Sequence, residues 1–376
     1  LFLCFAAAIW TPALVGISAW MGRQFLHWFE NNKTLAAFGL IGAVVILYLV
    51  IHKGIPLLTW RGRRLALGFW RRWTRWEFWP RQLFYPPILF HILRRMIQYR
   101  SITLPTAVNP GMPSGGGFLM ERKSEIFEGM DGIPELPRWQ LFEVGHEPSD
   151  QVGELRKFMA HADLDFPIVL KPNVGQRGHF VSVVDNTDEA RAYFEQHPKI
   201  EVIAQEYAGG VEYGVFYLRQ PDEARGHLFS ITDKRYTAVV GDGETTLENL
   251  ILRDDRAVCQ GKAFLKQFSD RLDWIPDEGE SVPLTQLGTH CRGALFLDGR
   301  DLATPELKAT IDRISQAYEG FHFGRFDIKA PTEKDFQAGH NLAILELNGL
   351  TSEPTHIYQP GFALREARQT LCAMWD

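Results

Sequence analysis

RFDIK at residues 325–329 and ILELNG at residues 344–349 each set an acidic residue inside an otherwise apolar run. Both read as strands apolar enough to be central in a sheet. Side chains alternate along a strand, so Glu346 and Asn348, two apart, share a face, and Asp327 is expected to point the same way. A buried carboxylate without compensation is costly, so this trio needs a cation. Hard oxygen donors on one face suit Mg²⁺, which is held by one or two carboxylates together with substrate phosphates. The competing reading is a buried salt bridge with Arg325 or Lys329. Two acids and an amide sharing one or two bases weighs for the metal.

Two earlier segments bear on the same chemistry. In IVLKPNVGQRGHFVSVV (168–184) a strand delivers Lys171 at its end, and a tight loop containing Gly175, Gln176, Arg177 and Gly178 turns into the next strand. Glycines let backbone N–H groups close on phosphate oxygens while a lysine supplies a point charge. On its own the segment fits a phosphate loop and a plain hairpin with a surface lysine equally well. Gln205, Glu206 and Tyr207, followed by Gly210 and Glu212, end another strand. Such a segment can set backbone groups against an adenine edge and a carboxylate against ribose hydroxyls, although single acids are more often solvated.

Around these segments, short β-rich runs alternate with helical stretches from residue 101 onward, an α+β pattern. Strands are expected at 101–107, 166–171, 180–184, 200–206, 213–219, 227–231, 236–240, 324–329 and 342–347. Helices are expected at 121–129, 188–196, 246–252 and 306–319, with 109–117 (NPGMPSGGG) a turn-rich loop.

In this order the three constellations resemble the ATP-grasp superfamily over about residues 101–360. The fold implied is two α+β subdomains clasping ATP, preceded here by membrane helices. By that resemblance Lys171 contacts the α/β phosphates and the 175–178 loop closes over the triphosphate. Gln205, Glu206 and Tyr207 border the adenine, and Glu212 binds ribose. Asp327, Glu346 and Asn348 hold one or two Mg²⁺ ions. Arg325 matches the position that steadies the acyl phosphate or tetrahedral oxyanion in D-alanine–D-alanine ligase-like members, and Lys123 in ERKSEIF is the candidate for a second nucleotide lysine. VVGDGETTLENLI (239–251) resembles a segment of cyanophycin synthetase and ribosomal-protein glutamate ligase, with Lys234 and Arg235 expected to reach the γ-phosphate from a mobile region. The same segment also reads as a hairpin turn followed by an N-capped helix. After Leu287 the chain departs from those relatives, carrying GTHCRG (288–293), which leaves the acceptor open. Adjacent His290 and Cys291 would face opposite ways on a strand, so they are read as packing residues.

The N-terminal hundred residues differ in kind. Residues 1–21 and 35–51 contain no charged residue, and the second stretch with its flanks is long enough to span a bilayer. Residues 6–23 (AAAIWTPALVGISAWMGR) are similar to the final part of DedA-type membrane proteins. Lys53, Arg61, Arg63, Arg64, Arg71, Arg72 and Arg75 come after the second stretch. By the positive-inside rule they put everything after residue 52 in the cytoplasm, at a bacterial inner membrane. Interleaved tryptophan and arginine over 60–79 mark an interfacial helix on anionic lipid, and the apolar run 86–93 is expected in the interface or against the soluble domain. The expected organisation is membrane spans at 1–55, juxtamembrane helices at 56–100, a leading region at 101–165 and the ATP-binding domain at 166–376. A formal net charge of −5 gives no sign of nucleic-acid binding, and four dispersed cysteines form neither a zinc nor a disulfide pattern. No G-x-x-x-x-G-K-[ST] loop is present.

The reaction implied is activation of a carboxylate by ATP to an acyl phosphate, followed by attack of an amine or thiol. A phosphotransferase and a non-catalytic nucleotide-binding module of a membrane protein are the alternatives.

Overall fold

A computed structural model describes residues 10–12, 15, 18, 33–118, 121–175, 178–285 and 293–376. The chain divides into two compact units, residues 1–67 and 68–376, so the stretch 56–100 is shared between them.

In the first unit the α-helix Lys33–Leu49 runs on through the wider turn Val50–Gly54 and the tight turn Ile55–Leu58. Ala37–Leu58, 22 residues, is long and apolar enough to cross a bilayer, and none of it is buried. The expected earlier span falls almost wholly outside the described residues. The tryptophan–arginine segment is helical over Trp60–Thr74, as expected.

The second unit is built on two antiparallel sheets. One has strand order β1-β4-β2-β3, from Trp139–Phe142, Val202–Glu206, Ile168–Pro172 and Ser182–Val184. Helices Pro148–His161 and Thr187–Gln196 close its core, which centres on Phe142, Leu155, Leu170 and Phe194. The other has order β11-β10-β5-β6-β9, from Ala343–Asn348, Phe323–Ala330, Val211–Leu218, His227–Arg235 and Leu295–Asp298. A small β7–β8 pair, Ala238–Val240 with Ser281–Pro283, lies beside them in sequence.

The larger sheet has two unlike faces because successive side chains point opposite ways. Tyr213, Val215, Tyr217, Phe326 and Ile328 join the core under helices Pro305–Ala317 and Glu333–Ala338, where Phe336 stacks on Tyr213 at 3.7 Å. The opposite face changes character along its length. Its apolar end holds Phe216 and Phe323, and is covered by Phe84 and Ile88 together with Leu371 of helix Leu364–Met374. Its other end carries Glu212, Gly214, Arg325 and Asp327.

Two expectations fail locally. The strand expected at 101–107 is a tight helical turn, Leu104–Ala107, because Pro105 has no N–H to give a ladder. Strand β6 extends to Arg235, so Lys234 and Arg235 belong to the central sheet and not to a mobile segment. The run 86–93 does pack within the second unit, as part of helix Pro86–Gln98. Trp76, from the tryptophan–arginine segment, stacks on Phe84 at 5.0 Å and donates to the Phe362 carbonyl at 2.6 Å.

If these residues are core and not membrane surface, Phe84→Ala should destabilise the protein by about 3–5 kcal/mol, the usual cost of an aromatic cavity. Urea denaturation followed by fluorescence in detergent checks this, and an unchanged midpoint contradicts the packing.

Candidate active site

The site grows from the pairing of β10 with β11, which sets Asp327 opposite Glu346 and Arg325 opposite Asn348. The register shifts after Asp327, leaving Leu345 as an extra residue. A bulge of this kind re-aims the local backbone, and the Leu345 carbonyl accepts a hydrogen bond from Lys171 Nζ at 2.8 Å. Lys171 also donates to Gln205 Oε1 at 2.6 Å, and its ammonium lies 5.0 Å from the Phe127 ring centre. Its position inside apolar β2 therefore ties the two sheets together. Burial lowers its pKa to about 7, with Lys123 acting in the same direction and Glu346 against it.

Lys123 comes from the other side. Helix Lys123–Glu128 starts against the loop after β2, where Lys123 N donates to the Asn173 carbonyl at 3.0 Å and Ser124 N to Asn173 Oδ1 at 2.9 Å. The ammonium then reaches the Gly175 carbonyl at 3.1 Å and Glu346 Oε1 at 3.2 Å. Lys123, Lys171 with the start of the glycine loop, and Glu346 thus converge from three separate parts of the sequence. Gly178 adopts the left-handed backbone that the loop requires (φ 65°). Gln176 and Arg177 lie outside the described residues, as do His290 and Cys291.

Asp327 is the centre of the second group. Its Oδ1 accepts from Arg325 Nε at 2.9 Å and lies 2.9 Å from Lys234 Nζ. Lys234 also donates to Glu212 Oε1 at 2.8 Å, and Tyr236 OH reaches Glu212 Oε2 at 3.3 Å. Burial works against the charged carboxylate, but Arg325 and Lys234 outweigh it and hold Asp327 at about 2. Burial likewise opposes the charge on Lys234, and Asp327 and Glu212 raise its pKa above the ordinary value. Gly214 leaves room for these stems, since a Cβ there would sit 3.3 Å from Arg325 Cδ and 3.4 Å from Lys234 Cε. Lys234, expected at the γ-phosphate, is therefore held between two carboxylates, and Glu212, expected on ribose, is one of them. The salt-bridge reading holds for Asp327 with Arg325, whereas Lys329 turns away to the Ala208 carbonyl at 3.0 Å.

Gln205 faces this cluster through Lys171, but Glu206 does not. Its carboxylate accepts from Arg138 Nε at 3.1 Å and Nη2 at 3.2 Å. Tyr207 is half-exposed, with Lys329 Nζ 5.3 Å from its ring centre.

Two acids missed in the sequence adjoin the site. Glu121 Oε1 accepts the Gly349 N–H at 3.1 Å, and burial lifts its pKa to about 7. Glu353 accepts from Tyr85 OH and from Tyr358 OH, the latter at 2.9 Å, while its backbone carbonyl accepts from Arg325 Nη1 at 3.1 Å. Neither had a local signal, because Glu121 meets its partner 228 residues later and Tyr85 meets Glu353 after 268.

A hard cation fits this donor set. Asp327 and Glu346 face each other across paired strands, and with the Asn348 side-chain oxygen they would supply hard oxygen donors. The Asn348 side-chain nitrogen, buried with no hydrogen-bond partner among the described residues, is a donor that a ligand oxygen would satisfy. No group of three His, Cys, Asp or Glu side chains placed to hold a metal occurs among the described residues, so any ion here depends on the asparagine and on ligand oxygens.

No protein-family model matches the chain, and no curated protein matches it. Solved structures do. A bifunctional glutathione synthetase from Pasteurella multocida shares 18% identity over 67% of this chain and 35% of its own, with a TM-score of 0.39. A D-alanine–D-alanine ligase from Bacillus anthracis shares 16% over 67% and 66%, at 0.37. An ATP-grasp ligase complexed with a minimal precursor, magnesium and ADP shares 13% over 67% and 58%, at 0.36. The chain thus spans about a third of the glutathione synthetase and about two thirds of the D-alanine–D-alanine ligase. The chain resembles these ligases, and the functional reading is carried by the side chains described above.

The two carboxylates on the paired strands should differ in what they do for stability. Asp327→Asn removes the charge facing two buried cations and should cost about 3 kcal/mol. Glu346→Gln breaks a partly exposed pair and should cost about 1 kcal/mol or less. Thermal denaturation of both variants checks this, and equal losses would contradict the central placing of Asp327.

Proposed function

We propose that the protein is an ATP- and Mg²⁺-dependent ligase, which activates a carboxylate as an acyl phosphate and joins it to an amine or thiol. The observation that carries this reading is the convergence of Lys123, Lys171 and the Gly175 loop on Glu346, directly across the strand pair from Asp327 and Arg325. Two buried ammonium groups beside a glycine loop suit a polyphosphate. Gln205 and Tyr207 border the adenine in this reading.

Asp327, Glu346 and Asn348 would hold the metal, which when bound neutralises charge on the phosphates. The substrate carboxylate attacks the γ-phosphorus, the bond to ADP breaks, and the acyl phosphate forms. The acceptor then attacks the acyl carbon, loses a proton, and inorganic phosphate leaves. Arg325 is held by Asp327 and the Glu353 carbonyl, so its guanidinium is already oriented for the oxyanion that develops at that carbon. Lys234 acts by holding Asp327 in place. Closure of the 175–178 loop keeps water from the acyl phosphate.

The site is tethered in this proposal to a membrane by Ala37–Leu58, with the catalytic body on the cytoplasmic side that the arginines after it favour.

Incubation with ATP, Mg²⁺, hydroxylamine and a panel of amino acids and peptides tests the chemistry. A carboxylate-dependent hydroxamate with phosphate release is expected, and Glu346→Gln should abolish both. Phosphorylated product without hydroxamate would mean a kinase, and no ATP turnover at all would mean a binding module.

Lys171 gives the proposal a pH signature. From about 7 up to the ordinary lysine range it has lost its proton in the free protein, and bound phosphates draw one back. ATP binding in that window should take up a proton and weaken as pH rises. Calorimetry in buffers of different ionisation enthalpy reads this, and binding without proton uptake would contradict it.

A further inference from the structure

Helix Pro86–Gln98 is apolar on two faces, and only one of them is used inside the molecule. Its inner side contributes Ile88 and Ile92 to the core shared with helix Leu364–Met374. Its outer side leaves Leu89 at 60% exposure, Phe90 at 71%, Leu93 at 50% and Ile97 at 69%. These positions recur at helical spacing and form one stripe. The surrounding segment shares this character. In the second unit, among the described residues, ten exposed large apolar side chains fall between residues 69 and 102, and nine are spread over residues 103–376. A contiguous exposed stripe on a soluble body marks an interaction surface.

The charge around the stripe selects its partner. Residues 69–102 contain seven arginines, of which Arg71 pairs with Asp255 and Arg95 with Asp376, no lysine, and a single acid of their own, Glu77, which is buried. Apolar side chains bordered by arginine and tryptophan match the interface of an anionic bilayer, where rings and aliphatic chains enter the headgroup boundary and guanidinium groups stay with the phosphates. The chain also carries an apolar helix ending at Leu58, 28 positions before Pro86.

We propose that the outer face of helix Pro86–Gln98 docks the catalytic body on an anionic lipid surface, as a second contact distinct from the span. The same helix is preceded directly by Tyr85, whose hydroxyl holds Glu353. The lipid contact and the site are therefore joined by consecutive residues. This inference rests on the membrane placing proposed above and not on the ligase chemistry.

The test uses the full-length protein in vesicles of equal parts phosphatidylcholine and phosphatidylglycerol carrying nitroxide-labelled lipid. A fluorescent amino acid such as acridonylalanine replaces Phe90 in one sample and the exposed Val240 in another. Quenching several-fold stronger at position 90 is expected, with the contrast shrinking in phosphatidylcholine alone. Equal quenching at both positions would overturn the proposal. So would a position-90 probe blind to the lipid quencher whose energy transfer between copies falls on dilution, which would make the stripe a contact between copies. An alkaline wash that releases the protein would strike the membrane placing itself, and ATP turnover in the same vesicles reports separately on the ligase.

Discussion

The Asp327 carboxylate is the constraint on which the site depends. Alone in a sheet interior it would be too costly to keep charged, and Arg325 and Lys234 alone would be equally costly. Together with Glu212 they make a network in which each buried charge has a partner at hydrogen-bond distance. Its geometry fixes the rest. Arg325 cannot leave Asp327 without stripping a buried carboxylate of one of its two cations, so its guanidinium stays aimed beside the strand pair. Gly214 is small because the stems of Arg325 and Lys234 pass over it.

The second constraint is Lys171, which is less well compensated. It has two neutral oxygen acceptors, Gln205 Oε1 and the Leu345 carbonyl, and no carboxylate within bonding distance among the described residues. A buried ammonium so placed stays charged only in part, and an anionic ligand would complete its surroundings. In the proposed polyphosphate site, the closed charge network around Asp327 would stay rigid while the open one around Lys171 would gain from binding.

Much of the fold could be read from the chain because the strands are short apolar runs with clear breaks, and every strand expected from residue 166 onward is present. The failed strand at 101–107 has a local cause in Pro105, and the rest of what was missing depended on distant contacts. Strand periodicity put Asp327, Glu346 and Asn348 on one face, but the register that opposes Asp327 to Glu346, and the bulge that sends the Leu345 carbonyl to Lys171, have no local signature. Glu121 and Glu353 look like ordinary surface acids until Gly349 and Tyr85 are brought to them. The segment GDG (241–243) shows the opposite case. Its Asp242 accepts from Glu244 N, Thr245 N and the Thr245 hydroxyl, so the motif is explained by its own turn.

The stretch before residue 100 is the least expected part. A basic, tryptophan-rich segment reads as membrane surface, yet from Trp76 onward it supplies core side chains to the sheet that carries the site, and its Tyr85 reaches an acid bound to Arg325. The most direct test of the whole account is a calorimetric titration of ATP with Mg²⁺ into the wild-type protein and into Lys171→Met. Saturable binding that needs Mg²⁺ and is lost in the variant is the result predicted. Absence of binding by the wild type, or equal binding by the two, would contradict it.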